Sequence, residues 1–226
     1  MPLKEQKGNM YEFVTHMWSP VRGKCVHDCS YCYMKVWGEL PDLYIDRRDL
    51  KNTNLGEGNF IFIGHTVDLF ADDVPEEWIN SVLDKLNQFP KNRYLLQSKN
   101  PARMMAFKDK FPKDVLLGTT IETNRDNTYI SKAPKMWDRA SALGDLADAG
   151  FETMVTIEPI LDFDLEELVD MVVDANPVWV NIGADSKKHN LPEPSKDKVK
   201  QLIEALQEKT DVELKRNINR ILNTWR

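Results

Sequence analysis

All three cysteines of this chain fall in one short segment, Cys25-Val-His-Asp-Cys29-Ser-Tyr-Cys32. The Cys-x3-Cys-x2-Cys spacing gathers three thiolates around one point and leaves a fourth coordination position open. A four-iron cluster held by three thiolates keeps one iron free for a ligand that is not protein, whereas electron-transfer clusters close the set with a fourth ligand. The sequence has no fourth cysteine. The competing chemistry is a zinc site made from the three cysteines and His27. Structural zinc sites pair two separated ligand halves, and here there is no second half.

The spacing, with Tyr31 just before the last cysteine and Tyr33 just after it, resembles the signature of the radical S-adenosylmethionine (SAM) enzymes. The resemblance implies a [4Fe-4S] cluster whose open iron chelates SAM. It also implies reductive cleavage to a 5'-deoxyadenosyl radical, which abstracts hydrogen from a substrate, and an electron donor such as flavodoxin or ferredoxin.

The chain has 226 residues, 42% hydrophobic and 29% charged, enough to bury one substantial core but long for two. A single domain over 1–226 is expected, with the cluster loop at 22–33 and a helical tail at about 195–226. No apolar run is long enough to span a bilayer, and the first residues lack the apolar stretch of a signal peptide. A cytoplasmic protein with reduced thiols is expected. The net charge of -6 argues against adhesion to nucleic acid over the whole surface.

Short apolar segments alternate with amphipathic ones. Strands are predicted at Tyr11 to Trp18, Asn59 to Gly64, Arg93 to Ser98, Val115 to Ile121, Glu152 to Ile157 and Pro177 to Ile182. Helices are predicted at Pro75 to Phe89, Pro101 to Phe111, Trp137 to Ala149, Leu165 to Ala175 and Ser195 to Lys209, with a last one from Val212 to Leu222. The segment from Met34 to Gly58 reads as a first helix plus a loop. Strands each followed by a helix run parallel with right-handed crossovers. The fold class is therefore α/β, a partial (β/α)6 TIM-type barrel with outer helices, which is also the architecture that the resemblance implies.

Ligands in such sheets collect at the carboxyl ends of the strands. Those ends carry Gly64, His65 and Thr66 after strand two, Ser98 and Lys99 after strand three, Glu122 after strand four, Glu158 after strand five, and Asn181 and Gly183 on strand six. With Tyr31 and Tyr33 they are the candidate SAM-binding residues, and Cys25, Cys29 and Cys32 are the candidate cluster ligands. The superfamily often carries Gly-Gly-Glu where this chain has Gly64-His65-Thr66, so the correspondence there is positional.

Several of these residues have a second reading. Ser98 and Asn124 also suit helix caps. Glu122, a costly carboxylate at the end of a buried strand, either holds the SAM ribose or amino group or pairs with Lys99. Glu158 has the same choice, with Lys99 or Arg125 as partner. Gly183 suits a backbone approach to adenine or a turn. His27 and His65 are proton donors near the cluster or simply hydrogen-bonded histidines.

The segments Trp18 to Tyr33, Phe62 to Phe70, Leu96 to Pro101, Thr120 to Thr123 and Ile157 to Ile160 resemble the small phage-associated radical SAM branch related to spore photoproduct lyase. The resemblance spans Val14 to Asp185. It carries over a fold and cofactors but no substrate; it favours a nucleoside, nucleotide or nucleic acid, which the basic stretches Lys91 to Lys113 and Lys215 to Arg226 would suit. The lyase uses an extra cysteine to return a hydrogen atom, and this chain has none left. A relay here would fall to a tyrosine such as Tyr33, Tyr94 or Tyr129, or SAM would be regenerated instead. The alternatives are an activase that installs a glycyl radical in a partner protein, and a nonenzymatic metal-binding module.

Overall fold

The computed structural model describes residues 3–126, 128–187 and 189–223. The end of the basic stretch at Arg226 and the last residues of the tail lie outside them.

The six predicted strands are all present and parallel: β2 (His16–Trp18), β5 (Phe60–Ile63), β6 (Arg93–Gln97), β7 (Val115–Thr120), β8 (Glu152–Ile157) and β9 (Trp179–Ile182). β1 (Lys4–Glu5) adds antiparallel to β2 at one edge, and β10 (Asp211–Leu214) adds parallel to β9 at the other. The eight-stranded sheet curves into an unclosed barrel of order β1-β2-β5-β6-β7-β8-β9-β10. A separate two-stranded ladder, β3 (Val21–Arg22) with β4 (Tyr44–Ile45), frames the excursion that carries the cysteines.

The strands are apolar on both faces because both faces are covered. Ile61, Ile63, Tyr94, Leu96, Leu117, Val155, Ile157, Val180 and Ile182 join the large core beneath the helices. Their alternate neighbours, with Phe60, Phe62, Leu95, Leu116, Met154 and Trp179, form a smaller core inside the barrel, plugged by Tyr11, Phe13 and Val14. The outer layer is α2 (Glu76–Asn87), α3 (Pro101–Met105), α4 (Met136–Asp148), α5 (Leu165–Asp174) and α6 (Lys196–Gln207). Ile79, Val82, Leu83 and Leu86 make one buried stripe of α2, the three- and four-residue spacing of a helix face. Ser195 caps α6 by accepting the Lys198 N–H. Among the described residues, no helix is long and apolar enough to cross a membrane.

Four expectations are corrected. Strand one is only His16–Trp18, because the Val14 N–H bonds back to the Tyr11 carbonyl in a turn that sends the Tyr11 and Phe13 rings into the barrel. The helix expected from Pro101 to Phe111 breaks into α3 and a 3-10 turn at Lys108–Lys110. The helix expected between Met34 and Gly58 is a 3-10 turn at Tyr33–Trp37 followed by the six residues of α1 (Arg47–Asn52). The helix expected from Val212 to Leu222 is β10, a 3-10 turn and the short α7 (Asn219–Leu222). In β10 a two-residue alternation wins, with Val212 against the core and Asp211 and Glu213 exposed on either side of it.

Candidate active site

The cysteine loop leaves the carboxyl end of β2 and returns through tight turns: the Asp28 N–H bonds to the Cys25 carbonyl, the Cys32 N–H to that of Cys29, and the Lys35 N–H to that of Cys32. The segment after β7 fastens the loop from outside. Ser30 N–H donates to the Ile130 carbonyl and Lys132 N–H to the His27 carbonyl, both at 2.7 Å, and Ser131 Oγ lies 3.2 Å from Cys29 Sγ. All three thiols are free; Cys29 is buried and the other two are half-buried. Burial, with the charges of Asp68 and Cys29 adding to it, pushes the Cys25 thiol up to about 12. Burial raises Cys32 as well, and Cys29 again contributes.

A thiol this reluctant to ionise becomes a thiolate when a metal centre supplies the compensating charge. The sulfurs also act on one another electrostatically through the central Cys29. The chemistry of the donor set, three free thiols on one short loop, is that of residues that could hold a thiolate-ligated cluster. Among the described residues, no three His, Cys, Asp or Glu side chains form a group able to hold a metal ion. His27, the expected fourth zinc ligand, is buried and turned to Asp68, with Nε2 2.9 Å from Oδ2.

Asp68 organises this side of the site. It also accepts the backbone N–H groups of Lys99 at 2.7 Å and Phe70 at 3.0 Å. Burial pushes its carboxyl up, but bonds from His27, Lys99 and Ser98 outweigh that and hold it low. Ser98 is buried, and its Oγ accepts the Asn100 N–H two residues on, a local turn that leads into α3 without a side-chain cap on that helix, so the capping expectation is corrected. His65 Nδ1 meets Ser19 Oγ at 2.7 Å, and Thr66 N–H donates to the same oxygen. Burial pushes His65 down to about 4, helped by the charges of Lys4 and Arg22, so it is neutral at physiological pH. The Tyr33 hydroxyl donates to the His65 carbonyl at 2.8 Å, and Gly64 sits at φ +75°, a conformation that glycine adopts without strain.

Glu122, only 2% exposed, has both carboxylate oxygens engaged. Oε1 accepts from Lys99 Nζ at 2.7 Å and from the Tyr31 hydroxyl, and Oε2 accepts from Arg139 Nη1 at 2.9 Å. Lys99 Nζ lies 5.3 Å above the Tyr31 ring. Burial alone would raise this carboxyl, but the two cations overcome it and hold it at about 2. The Lys99 partnership is thus present, and Glu122 serves as the anchor of Tyr31 and Lys99 beside the cysteine loop.

Across the barrel mouth, Glu158 pairs with neither Lys99 nor Arg125. Its partners are Lys215 Nζ at 2.6 Å and the side-chain amides of Asn9 and Asn217, both at 2.8 Å. The tail strand brings Lys215 there, while Arg125 is held outside by Asp162 and Asp164. Gly183 makes this group possible, since a Cβ there would lie 2.8 Å from the Glu158 carboxyl carbon and 3.0 Å from Asn217 Oδ1. Asn181 is buried inside the barrel and bonds to the Met154 sulfur at 3.6 Å. Asn124 accepts the N–H of Asp164, the residue just before α5, and so tethers the entry to a helix other than the one that follows it.

The tyrosines divide. The Tyr94 hydroxyl bonds to the Leu86 and Phe89 carbonyls on the helix side of the sheet, and Tyr129 is 73% exposed, so neither lies in the barrel. The tyrosine that does is Tyr11, whose hydroxyl donates to Gln97 Oε1 at 2.8 Å. The sequence singles out neither Tyr11 nor Arg139, Asp68 and Lys215. Arg139 leaves a detectable signal, a charge on the apolar face of α4 formed by Ala140, Leu143 and Leu146.

Residues 9–192 match the model of a protein family of unknown function, DUF5131. The chain belongs to that family. No curated protein matches this DUF5131 chain. Solved structures do. A spore photoproduct lyase mutant with bound AdoMet and dinucleoside spore photoproduct aligns with TM-score 0.58 at 13% identity, over 90% of this chain and 64% of the lyase. Another mutant of that lyase aligns with TM-score 0.67 at 11% identity, over 92% and 79%. Streptococcus suis SuiB bound to S-adenosylmethionine aligns with TM-score 0.55 at 11% identity, over 88% and 46%. At such identities the likeness establishes a shared fold, the unclosed parallel α/β barrel. The DUF5131 chain spans less than two thirds of the lyase in the first of these structures.

Proposed function

We propose that this protein is a radical SAM enzyme, with Cys25, Cys29 and Cys32 as the ligands of a [4Fe-4S] cluster. Bound there, the cluster would supply the electron for reductive cleavage of SAM, the chemistry that would let the enzyme abstract hydrogen from its substrate. The observation that carries the reading is a half-buried loop of three free thiols at the carboxyl end of the sheet of an unclosed parallel barrel. Asp68 and the segment around Ser131 hold that loop rigid. Neutral His65, Thr66 and Tyr33 form one wall beside it, and Lys99, Tyr31 and Glu122 the other. Lys99 offers SAM a cation fixed in place by the buried Glu122, and the barrel interior keeps water from the reacting carbon.

For the substrate, most cations of the two basic stretches already have carboxylate partners, while Lys110 and Lys113 have no ion-pair partner among the described residues. Lys91, Arg93, Lys99 and Lys108 are paired with Glu57, Glu152, Glu122 and Asp109, while Lys215, Arg216 and Arg220 are paired with Glu158, Glu12 and Glu193. The open barrel seam favours the second reading, a partner polypeptide.

The test is anaerobic reconstitution with iron and sulfide, followed by reduction with dithionite or flavodoxin in the presence of SAM. A brown protein with about four irons per chain that releases 5'-deoxyadenosine and methionine is expected. Colourless protein with one zinc refutes the reading. So does turnover that yields only S-adenosylhomocysteine or 5'-methylthioadenosine.

A further inference from the structure

The seam of the barrel carries a binding edge that the catalytic reading does not use. β10 pairs with β9 on one side, and among the described residues no strand lies on the other. The Lys215 N–H bonds to the Ile182 carbonyl at 2.9 Å. Because parallel pairing engages alternate residues, the backbone N–H and C=O groups of Val212 and Leu214 face the free edge. Between β10 and the N-terminal segment 6–13 runs a groove of about 1100 Å³. Its inner wall is aromatic. Phe13 stacks on Tyr11 with centroids 5.3 Å apart and meets Trp179 edge-on at 5.4 Å.

Two buried polar groups on that wall lack good partners. The Trp179 Nε1 donor has none among the described residues, and Asn181, 3% exposed, has only the Met154 sulfur. The charges are equally specific. Arg93, Lys215 and Arg216 are neutralised by Glu152, Glu158 and Glu12. Asp211 and Glu213 line the groove from β10, exposed and without an ion-pair partner among the described residues, while Lys7 is the one cation of the lining in the same condition.

We propose that this groove receives an extended basic polypeptide segment as the substrate of the enzyme, added as a further strand along β10 with alternate lysine or arginine side chains against Asp211 and Glu213. The free edge calls for a ligand with main-chain N–H and C=O groups at strand spacing. Free carboxylates repel a phosphate backbone, and pairing of two copies through this edge would set like charges against each other. β10 ends at the barrel mouth beside Glu158, so an added segment runs toward the end of the barrel that bears the cysteine loop. Only the fate of the segment rests on the radical SAM reading; its binding does not.

The experiment uses the full chain and fluorescence anisotropy of a short labelled peptide that alternates lysine and valine. Saturable, salt-sensitive binding is expected, with backbone amide protection over Asp211 to Leu214 on hydrogen exchange. Reversing both charges, Asp211→Lys with Glu213→Lys, weakens binding by about tenfold or more while the circular dichroism of these surface variants stays that of wild type. N-methylation of alternate peptide residues abolishes binding without changing the charge. The proposal is overturned if a glutamate–valine peptide or a single-stranded oligonucleotide binds as well as the lysine peptide. It also falls if N-methylation has no effect, or if nothing binds, in which case the two carboxylates serve only to protect an edge strand from aggregation.

Discussion

Replacing Glu122 by glutamine removes the one negative charge that Lys99 and Arg139 share in the interior. The carboxyl is held at about 2 instead of its ordinary 4.5, so the fold favours the ionised form by about 3 kcal/mol. Glutamine has nearly the same shape, but it leaves a 2%-exposed arginine and a largely buried lysine without a counter-charge. Removing one partner from a buried pair costs about 3–5 kcal/mol. For a chain of this size that loss corresponds to a melting temperature lower by roughly 10 °C. The pH dependence gives the sharper test. A carboxyl depressed in the folded state contributes stability that is fully present above its unfolded value and is lost as pH falls through the folded one. Urea unfolding should therefore show wild type and Glu122→Gln well separated at neutral pH, with the gap closing as pH falls below about 4.5. A gap under about 1 kcal/mol at neutral pH, or one independent of pH, would refute the assignment of Glu122 as the anchor of this network.

Each of Cys25→Ala, Cys29→Ala and Cys32→Ala should lose the iron bound on reconstitution and all SAM cleavage, as read by iron assay and chromatography; full iron content in any one of them would contradict the ligand set. Gly183→Ala should cost about 1–3 kcal/mol in thermal unfolding, because its Cβ displaces a Glu158 carboxylate held by Lys215 and two asparagines; an unchanged melting temperature would show that the group can move aside. His65 should titrate near 4 by NMR. Its histidine is depressed in the fold, so it adds stability above about 6.5 that is lost as pH falls toward about 4, and a midpoint in the ordinary histidine range would mean that the wall beside Tyr33 is wet.

The sequence alone determined the barrel and the thiol loop. Parallel strands buried on both faces need continuous apolar runs, and Phe60-Ile-Phe-Ile63 or Val115-Leu-Leu117 cannot hide such a pattern. Three cysteines at fixed spacing are equally local. The sequence misread Asp211–Leu214, because a four-residue strand at a sheet edge makes too short an alternation to compete with the helical spacing around it. With that strand went Lys215, and hence the true partner of Glu158.

Tertiary structure also decided which polar residues work in pairs. Glu122 and Lys99 are near enough in sequence to be matched, but Arg139 reaches Glu122 from the helix layer, and His27 meets Asp68 only because the cysteine loop folds back over the end of β5. Burial and charge pairing depend on what the chain brings near from far away, and no local pattern encodes that. Whether a tyrosine faces the helices, as Tyr94 does, or the barrel, as Tyr11 does, was settled by the side of the sheet on which its backbone arrives.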